Sequence, residues 1–163
     1  MPDLPPYRVL FVCWGNICRS PTAEALLRRE VRAAELSDLV EVDSAGVSAE
    51  HSGNPPDRRS QAEARSRGLD MSDLRARRVS PDDWDRFDLL LVTDDAVERS
   101  LRRQAPRRAD LSKVARITDF LPTDDLTEVP DPYYGGADGF RHVFDLLEEA
   151  STAILTHAVA VRS

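Results

Sequence analysis

The stretch Cys13-Trp14-Gly15-Asn16-Ile17-Cys18-Arg19-Ser20 joins a strand pattern to a helix pattern. The apolar run RVLFV at residues 8–12 precedes it and has the length and β-branched content of a buried strand. An amphipathic helix pattern follows at residues 22–35, with Ser20 as the expected N-cap and Pro21 as the first helical residue, although a start inside the loop is an open alternative. We therefore predict a loop at the carboxyl end of a strand, where open parallel sheets bind their ligands.

This loop brings together the groups that hold a phosphate against a nucleophile. Cys13 supplies a thiol, Arg19 supplies a guanidinium six residues later, and the backbone N–H groups between them lie at a helix start, which favours a thiolate at neutral pH. Gly15 and Asn16 permit the positive φ angles that turn such amides inward. The spacing alone is weak evidence, because 21 residues are arginine, that is, 22 basic residues less the single lysine. The flanking strand and helix patterns carry the interpretation.

Strand and helix patterns alternate along the rest of the chain. Further strands are predicted at residues 40–43, 88–92 and 114–117, and further helices at 57–66, 95–104 and from 140 onward, with irregular stretches at 47–56, 74–78 and 122–139. Such alternation indicates βαβ units and a parallel sheet covered on both faces. The predicted fold is α/β, a three-layer αβα arrangement with a four-stranded parallel sheet and a phosphate-binding loop after the first strand. We expect one domain over residues 1–163.

Charge and hydropathy exclude several classes of function. The net charge of −7 argues against a nucleic-acid partner, and the best candidate basic patch, residues 102–108, also fits a solvated helix end. No apolar stretch is long enough to span a membrane, and the first residues lack the features of a signal peptide, so we expect a cytoplasmic protein with no membrane partner. A monomer is favoured.

Cysteine usage points to reactive thiols. Cys13 and Cys18 are the only two cysteines, too few for a disulfide framework or a four-cysteine zinc site. No metal or other cofactor is expected. The isolated histidines lack ligand spacing, and no chemistry is assigned to them; they are His51, His142 and His157.

In several motifs along its length, the chain resembles the low-molecular-weight protein tyrosine phosphatases. The motifs are the loop of residues 13–21 with Ala23-Glu24, then Ser44-Ala45-Gly46, Pro56-Asp57 and Asp131-Pro132-Tyr133-Tyr134-Gly135. The resemblance implies a four-stranded parallel sheet. It also implies that Cys13 forms a phosphocysteine, that Arg19 and the loop amides bind the phosphate, and that Asp131 acts as general acid and then as general base. The substrates would be phosphotyrosine proteins, a tyrosine kinase among the candidates, and small aryl phosphates.

Other residues of these motifs are expected to bind the substrate or support the loop. The substrate-binding set is Trp14, Gly15, Asn16, Ile17, Cys18, Ser20, Tyr133 and Tyr134. Within it, the paired tyrosines would wall the pocket, and Trp14 would either extend that wall or cover the outer face of the loop. Asn16, Ser20 and Ser44 are interpreted as loop supports. Cys18 is either simply buried or the partner of Cys13 in a reversible disulfide.

Two departures from the family pattern and three alternative functions stay open. Leu74 stands where many members have a histidine that braces the loop, and residues 49–51 lack the usual aromatic residue. An arsenate reductase would need more cysteines, and a protein arginine phosphatase would carry threonine where Ile17 stands. The third alternative is a phosphoprotein-binding module that binds phosphate without hydrolysis.

Overall fold

The computed structural model describes residues 4–162 and confirms the α/β architecture with a four-stranded parallel sheet. The strands are β1 (Tyr7–Cys13), β2 (Val40–Gly46), β3 (Leu89–Val92) and β4 (Val114–Arg116). The helices are α1 (Arg19–Ala33), α2 (Arg58–Ser66), α3 (Asp83–Arg86), α4 (Asp95–Gln104) and α5 (Ala137–Arg162). Two 3₁₀ turns, Leu111–Lys113 and Ile117–Phe120, flank β4 and were not predicted from the sequence.

The order of the strands creates a ligand-binding crevice at the carboxyl end of β1. The order is β2-β1-β3-β4, so the chain leaves β1 toward one side to reach β2 and returns to the other side for β3. The carboxyl end of β1 is thus a topological switch point, where open α/β sheets bind ligands. Cys13 is the last residue of β1 and lies opposite Gly46 of β2, and Val12 lies opposite Val92 of β3.

The core explains why β1 and β3 are continuous apolar runs rather than alternating ones. Val9 and Phe11 face one layer with α1 and α5, and Leu10 and Val12 face the other layer with α4. All four side chains have no exposed surface, as expected when both faces of a parallel sheet are covered. Trp84 is 1% exposed in the second layer.

Several element boundaries differ from the sequence prediction, most of them by one or two residues. Ser20 is not the N-cap of α1; the helix begins at Arg19, and the cap position is Cys18, which makes no side-chain cap hydrogen bond. The Ser20 hydroxyl is unavailable for capping because it contacts Cys13 Sγ instead. β2 extends to Gly46 because its pairing with β1 continues to the end of that strand, where Gly46 lies opposite Cys13. α5 begins at Ala137, three residues before the predicted start.

The candidate basic patch at residues 102–108 is not a continuous run of unpaired charges. Two arginines of the candidate basic patch are neutralised by ion pairs, since Arg102 pairs with Glu98 and Arg108 pairs with Asp85. Within residues 4–162, no helix combines the length and the apolar character required to cross a bilayer.

Candidate active site

The residues from Cys13 to Arg19 form a tight loop, here called the cradle loop, between β1 and α1. Asn16 has a φ of 58°, the left-handed conformation that asparagine tolerates better than most residues. Its backbone N–H donates to Cys13 Sγ at 3.2 Å. The amino end of α1 follows directly, so this amide and the positive end of the helix dipole both favour negative charge on the sulfur.

Ser20 makes a second polar contact with the sulfur. Its Oγ lies 2.9 Å from Cys13 Sγ and accepts a hydrogen bond of 2.8 Å from Asn16 Nδ2. The hydroxyl proton therefore remains free to donate, and the sulfur is a nearer acceptor than the Ala45 carbonyl oxygen at 3.4 Å. A hydrogen bond to the charged form stabilises a thiolate. Ser20 is therefore positioned to stabilise a Cys13 thiolate, and it does not cap the helix.

Asn16 links the cradle loop to the neighbouring strand and loop. Its Nδ2 donates to Ser44 Oγ at 3.0 Å, and its Oδ1 accepts from the Arg77 backbone N–H at 3.0 Å. Leu74, the position of the missing histidine, has no polar side-chain atom and packs against the main core. The loop is therefore braced by the Arg77 backbone amide and the Ser44 hydroxyl rather than by a side chain at position 74.

Glu24 extends this network beneath the loop and was not assigned a role from the sequence. Ser44 Oγ donates to Glu24 Oε1 at 2.6 Å, and Arg28 pairs with the other carboxylate oxygen at 2.5 Å. Burial raises the pKa of Glu24, although the hydrogen bond from Ser44 and the charge of Arg28 oppose the rise. The Ser44 side chain is thereby held toward Asn16.

Arg19 is a buried cation aimed into the crevice. Its side chain is 3% exposed, and its Nη1 donates to Asp94 Oδ2 at 2.5 Å and to the Val129 carbonyl oxygen at 2.9 Å. Burial lowers the pKa of Arg19, but Cys13, Asp94 and Asp131 raise it, and the balance lies above the ordinary value. Arg19 is therefore a fixed positive charge with a preset orientation.

Asp94 is a site residue that sequence reasoning missed. It follows β3, and its second oxygen accepts the Val97 backbone N–H at 2.8 Å, which caps α4. The same carboxylate thus closes a helix end and orients Arg19. An acidic residue two positions after the end of a parallel strand was a usable signal, but only the adjacency of β3 and β1 places it beside the cradle loop.

Asp131 reaches the same crevice from an irregular segment more than a hundred residues away in sequence. Its Oδ2 lies 3.6 Å from Arg19 Nη2, and its Oδ1 accepts the Tyr133 backbone N–H at 3.0 Å. The carboxyl group is 46% exposed, so it can contact both a bound substrate and water. This placement brings together Cys13, Arg19 and Asp131.

These elements enclose a pocket of about 260 Å³. Its lining consists of Cys13, Trp14, Gly15, Ile17, Cys18, Arg19, Glu50, His51, Asp131, Tyr133 and Tyr134. Two members of the predicted substrate-binding set, Asn16 and Ser20, are absent from this lining because their side chains are buried behind the loop. Trp14 and Tyr134 are 45% and 93% exposed, and the presence of Trp14 in the pocket lining favours its interpretation as part of the wall.

Residues 50 and 51 also line the pocket, although neither was assigned a role in substrate binding from the sequence. A Cβ atom at Gly15 would lie 2.8 Å from His51 Cδ2, so the imidazole packs on the cradle loop and would have to shift if residue 15 carried a side chain. The His51 ring centroid is 6.2 Å from that of Tyr133. His51 and Glu50 therefore occupy the wall in place of the aromatic residue expected from the family pattern.

Cys18 lines the pocket but differs chemically from Cys13. It is 5% exposed, and burial followed by the nearby charge of Asp57 raises its pKa to about 12. Cys18 is therefore a neutral thiol at physiological pH. The described residues contain no cluster of three or more acidic, histidine or cysteine side chains suited to a metal ion.

The comparisons with known proteins agree with this geometry. Residues 8–162 match the family model described as low molecular weight phosphotyrosine protein phosphatase. A low-molecular-weight protein-tyrosine-phosphatase of Streptomyces coelicolor is 45% identical over 152 residues, which cover 91% of this chain and 92% of the relative. The crystal structure of YfkJ from Bacillus subtilis superimposes with a TM-score of 0.91 at 35% identity, covering 99% of both chains. That of a Drosophila arginine phosphatase gives 0.85 at 30% identity, covering 91% of this chain and 96% of the other.

Proposed function

Because the chain belongs to the low-molecular-weight phosphotyrosine protein phosphatase family, whose members are hydrolases, we propose that its pocket hydrolyses phosphotyrosine through a phosphocysteine on Cys13. In the first step, the Cys13 thiolate attacks phosphorus and the bond to the phenolic oxygen breaks. Asp131, protonated at the start, gives its proton to the departing oxygen. The product is a neutral phenol and a phosphoryl group on sulfur.

In the second step, water attacks the phosphocysteine. Asp131, now ionised, takes a proton from that water, the S–P bond breaks, and the Cys13 thiolate is restored as phosphate leaves. Throughout both steps, Arg19 and the cradle-loop amides bind the phosphoryl oxygens, whose charge spreads over them in the transition state. Ser20 stabilises the thiolate as nucleophile and as leaving group.

One observation carries the proposal. The Asp131 carboxylate stands 3.6 Å from the buried Arg19 guanidinium, although the two residues are separated by most of the chain. The leaving oxygen of a bound phosphoester lies near the phosphate-binding cation, so an acid beside that cation can deliver a proton to it. A module that only binds phosphate has no use for this carboxylate, since it repels the ligand.

The walls of the pocket support an aromatic substrate. The Tyr133 and Tyr134 rings meet edge to face with centroids 4.9 Å apart, and Trp14 stands at the same mouth. A phosphotyrosine ring would stack among these side chains. We place the substrates among phosphotyrosine proteins, a tyrosine kinase among the candidates.

We expect Asp131→Asn to lower kcat/KM for phenyl phosphate by roughly 10²-fold or more, because the phenolate leaves without a proton. The loss for 2,4-dinitrophenyl phosphate, whose phenolate is a stable leaving group, should be much smaller. Steady-state rates on both esters measure the difference. The exposed carboxylate Asp125 offers a control, since Asp125→Asn should match the wild type on both. Equal losses of the Asp131 variant on the two esters would contradict a general-acid role.

A protein arginine phosphatase is a second candidate, favoured by the structural similarity to the Drosophila arginine phosphatase. The apolar Ile17 in the pocket favours an aromatic ester instead. Assays on phosphotyrosine and phosphoarginine peptides of the same sequence decide between them, and we expect phosphotyrosine to be hydrolysed faster.

We also propose that Cys18 protects Cys13 by forming a reversible disulfide. Peroxide oxidises the Cys13 thiolate to a sulfenic acid and is reduced to hydroxide; attack by the Cys18 sulfur then forms the S–S bond and releases water. Activity of the wild type should return with dithiothreitol, and Cys18→Ser should lose it irreversibly. Because the pKa of Cys18 is about 12, its thiolate fraction and the rate of disulfide closure should rise roughly tenfold per pH unit near neutrality. Full recovery of Cys18→Ser would rule this out.

The remaining assignments are also proposals. Two free cysteines, both reduced in the structure, are consistent with a cytoplasmic protein. We propose that the chain acts as a single-domain monomer without a cofactor. Size-exclusion chromatography with light scattering tests the oligomeric state.

A further inference from the structure

Asp131 lies in an irregular segment that does not hold the carboxyl group in place by itself. The chain is irregular between the 3₁₀ turn that ends at Phe120 and the start of α5 at Ala137. Without the hydrogen bonds of a helix or a strand, this segment depends on contacts with other parts of the molecule. Two sets of contacts, one on each side of Asp131, supply them.

Val129 fixes the segment on the amino-terminal side of Asp131. Its side chain is 1% exposed, and its backbone N–H donates to the Thr93 carbonyl oxygen at 2.8 Å. Its own carbonyl oxygen accepts from Arg19 Nη1 at 2.9 Å. This side of the segment is therefore attached to the end of β3 and to the phosphate-binding arginine.

Arg59 holds the segment on the carboxyl-terminal side of Asp131. Its Nη2 donates to the Tyr133 carbonyl oxygen at 2.8 Å, and its Nη1 donates to the Gly135 carbonyl oxygen at 3.3 Å. The guanidinium also lies over the Phe140 ring, 4.6 Å from the centroid, and 5.5 Å from the Tyr133 ring centroid. One side chain thus contacts the segment at three points just after Asp131.

Asp57 orients Arg59 for these contacts. Its two carboxylate oxygens each accept a hydrogen bond of 3.0 Å, one from Arg59 Nε and one from Arg59 Nη2. Partial burial raises the pKa of Asp57, but the hydrogen bonds from Arg59 outweigh this and bring the pKa below its ordinary value. The pair therefore stays ionised at neutral and mildly acidic pH.

The Asp57–Arg59 pair also connects to the cradle loop. The Asp57 backbone N–H donates to the Ile17 carbonyl oxygen at 2.8 Å. A continuous series of hydrogen bonds thus runs from the cradle loop through Asp57 and Arg59 to the chain beside Asp131. It fixes the distance between the nucleophile's loop and the acid's segment.

We propose that Arg59 is a positioning residue, which holds the Asp131 carboxyl over the cradle loop by securing the chain at Tyr133 and Gly135. This inference rests on the proposed function, because it assigns to Arg59 the placement of the proposed general acid. Arg59 does not line the pocket, so it acts through Asp131 and not on the phosphate. Its side chain is 42% exposed, so its replacement leaves no buried cavity.

The test compares Arg59→Gln with Arg58→Gln, which removes the same charge from the neighbouring residue. Arg58 is also exposed and, within residues 4–162, makes no hydrogen bond or ion pair with the segment around Asp131. We expect Arg59→Gln to lower kcat/KM for phenyl phosphate by roughly ten- to a hundredfold and for 2,4-dinitrophenyl phosphate by less than about threefold. Arg58→Gln should match the wild type on both esters.

Arg59→Lys separates positioning from charge. Lysine keeps the positive charge but lacks the planar fork that joins Asp57 to two carbonyl groups, so we expect it to be nearly as impaired as Arg59→Gln. In an Asp131→Asn background, Arg59→Gln should cause no further loss on phenyl phosphate, because the acid it positions is gone.

Three results would overturn the inference. The first is wild-type kinetics of Arg59→Lys, and the second is an equal fall in kcat/KM of Arg59→Gln on the two esters. The third is a fall in kcat/KM caused by Arg59→Gln that is the same in the wild type and in the Asp131→Asn background. The proposed function has a separate test in these data. If kcat/KM of Asp131→Asn falls equally on both esters, Asp131 is not the general acid, and the inference about Arg59 fails as well. If Asp131→Asn loses more kcat/KM on phenyl phosphate than on 2,4-dinitrophenyl phosphate and Arg59→Gln does not, the inference fails but the proposed function stands.

Discussion

The Cys13→Ser variant is expected to hydrolyse aryl phosphates roughly 10⁴-fold more slowly than the wild type, or not detectably. A serine hydroxyl stays protonated at neutral pH, and neither Ser20 nor the Asn16 amide is a base that could remove its proton. Both groups donate hydrogen bonds at this position and do not accept a proton. Steady-state assays with para-nitrophenyl phosphate and with a phosphotyrosine peptide measure the loss.

The same variant should keep its affinity for phosphate. Serine is smaller than cysteine, and the hydrogen bonds of Asn16 to Ser44 and Arg77 do not involve the sulfur. Isothermal titration with inorganic phosphate should therefore show binding at least as tight as in the wild type. Cys18→Ser provides the matched control and should retain activity before oxidation. Loss of both binding and activity in Cys13→Ser would indicate a collapsed loop rather than a missing nucleophile.

Arg19→Lys is expected to lower kcat/KM by roughly 10³-fold, or about 4 kcal/mol of transition-state stabilisation. The guanidinium is 3% exposed and already donates to Asp94 and the Val129 carbonyl oxygen, so its fork is aligned before a phosphate binds. A lysine ammonium can satisfy Asp94 or the phosphate, but it does not present two parallel donors to the phosphoryl oxygens. The loss should appear in kcat as well as in KM.

Arg32→Lys is the control for this substitution, because Arg32 is an exposed arginine in the last turn of the same helix. It should leave both kinetic parameters unchanged. If Arg19→Lys raised KM alone and left kcat intact, Arg19 would contribute uniform binding and not stabilisation of the transition state.

The strand, the loop and the helix around Cys13 could be predicted from the sequence because each has a local signal. Residues 8–12 form a continuous apolar run, and α1 carries a 3.6-residue pattern. The two faces of β1 pack into two separate layers, which is why that run shows no alternation. Asp131 was found only through its motif, since nothing local distinguishes it from any aspartate before a proline.

Contacts that depend on tertiary structure could not be predicted in the same way. Asp94 reaches Arg19 because β3 lies beside β1, and the order of strands is not written in any single stretch of sequence. Ser20 has the residue type and position of an N-cap, but its hydroxyl contacts the sulfur of Cys13 instead of capping the helix. His51 lines the pocket and packs against Gly15, a contact between residues 36 positions apart that no local pattern indicates.

The most direct test of the central claim is rapid quenching of the enzyme during turnover of an aryl phosphate, followed by mass spectrometry of its peptides. The same experiment is done with Asp131→Asn, which lacks the general base proposed for hydrolysis of the phosphocysteine. We expect one phosphoryl group on the peptide that contains Cys13, with none in Cys13→Ser and an unchanged amount in Cys18→Ser. A phosphoryl group on another residue, or turnover by Cys13→Ser at the wild-type rate, would contradict the account.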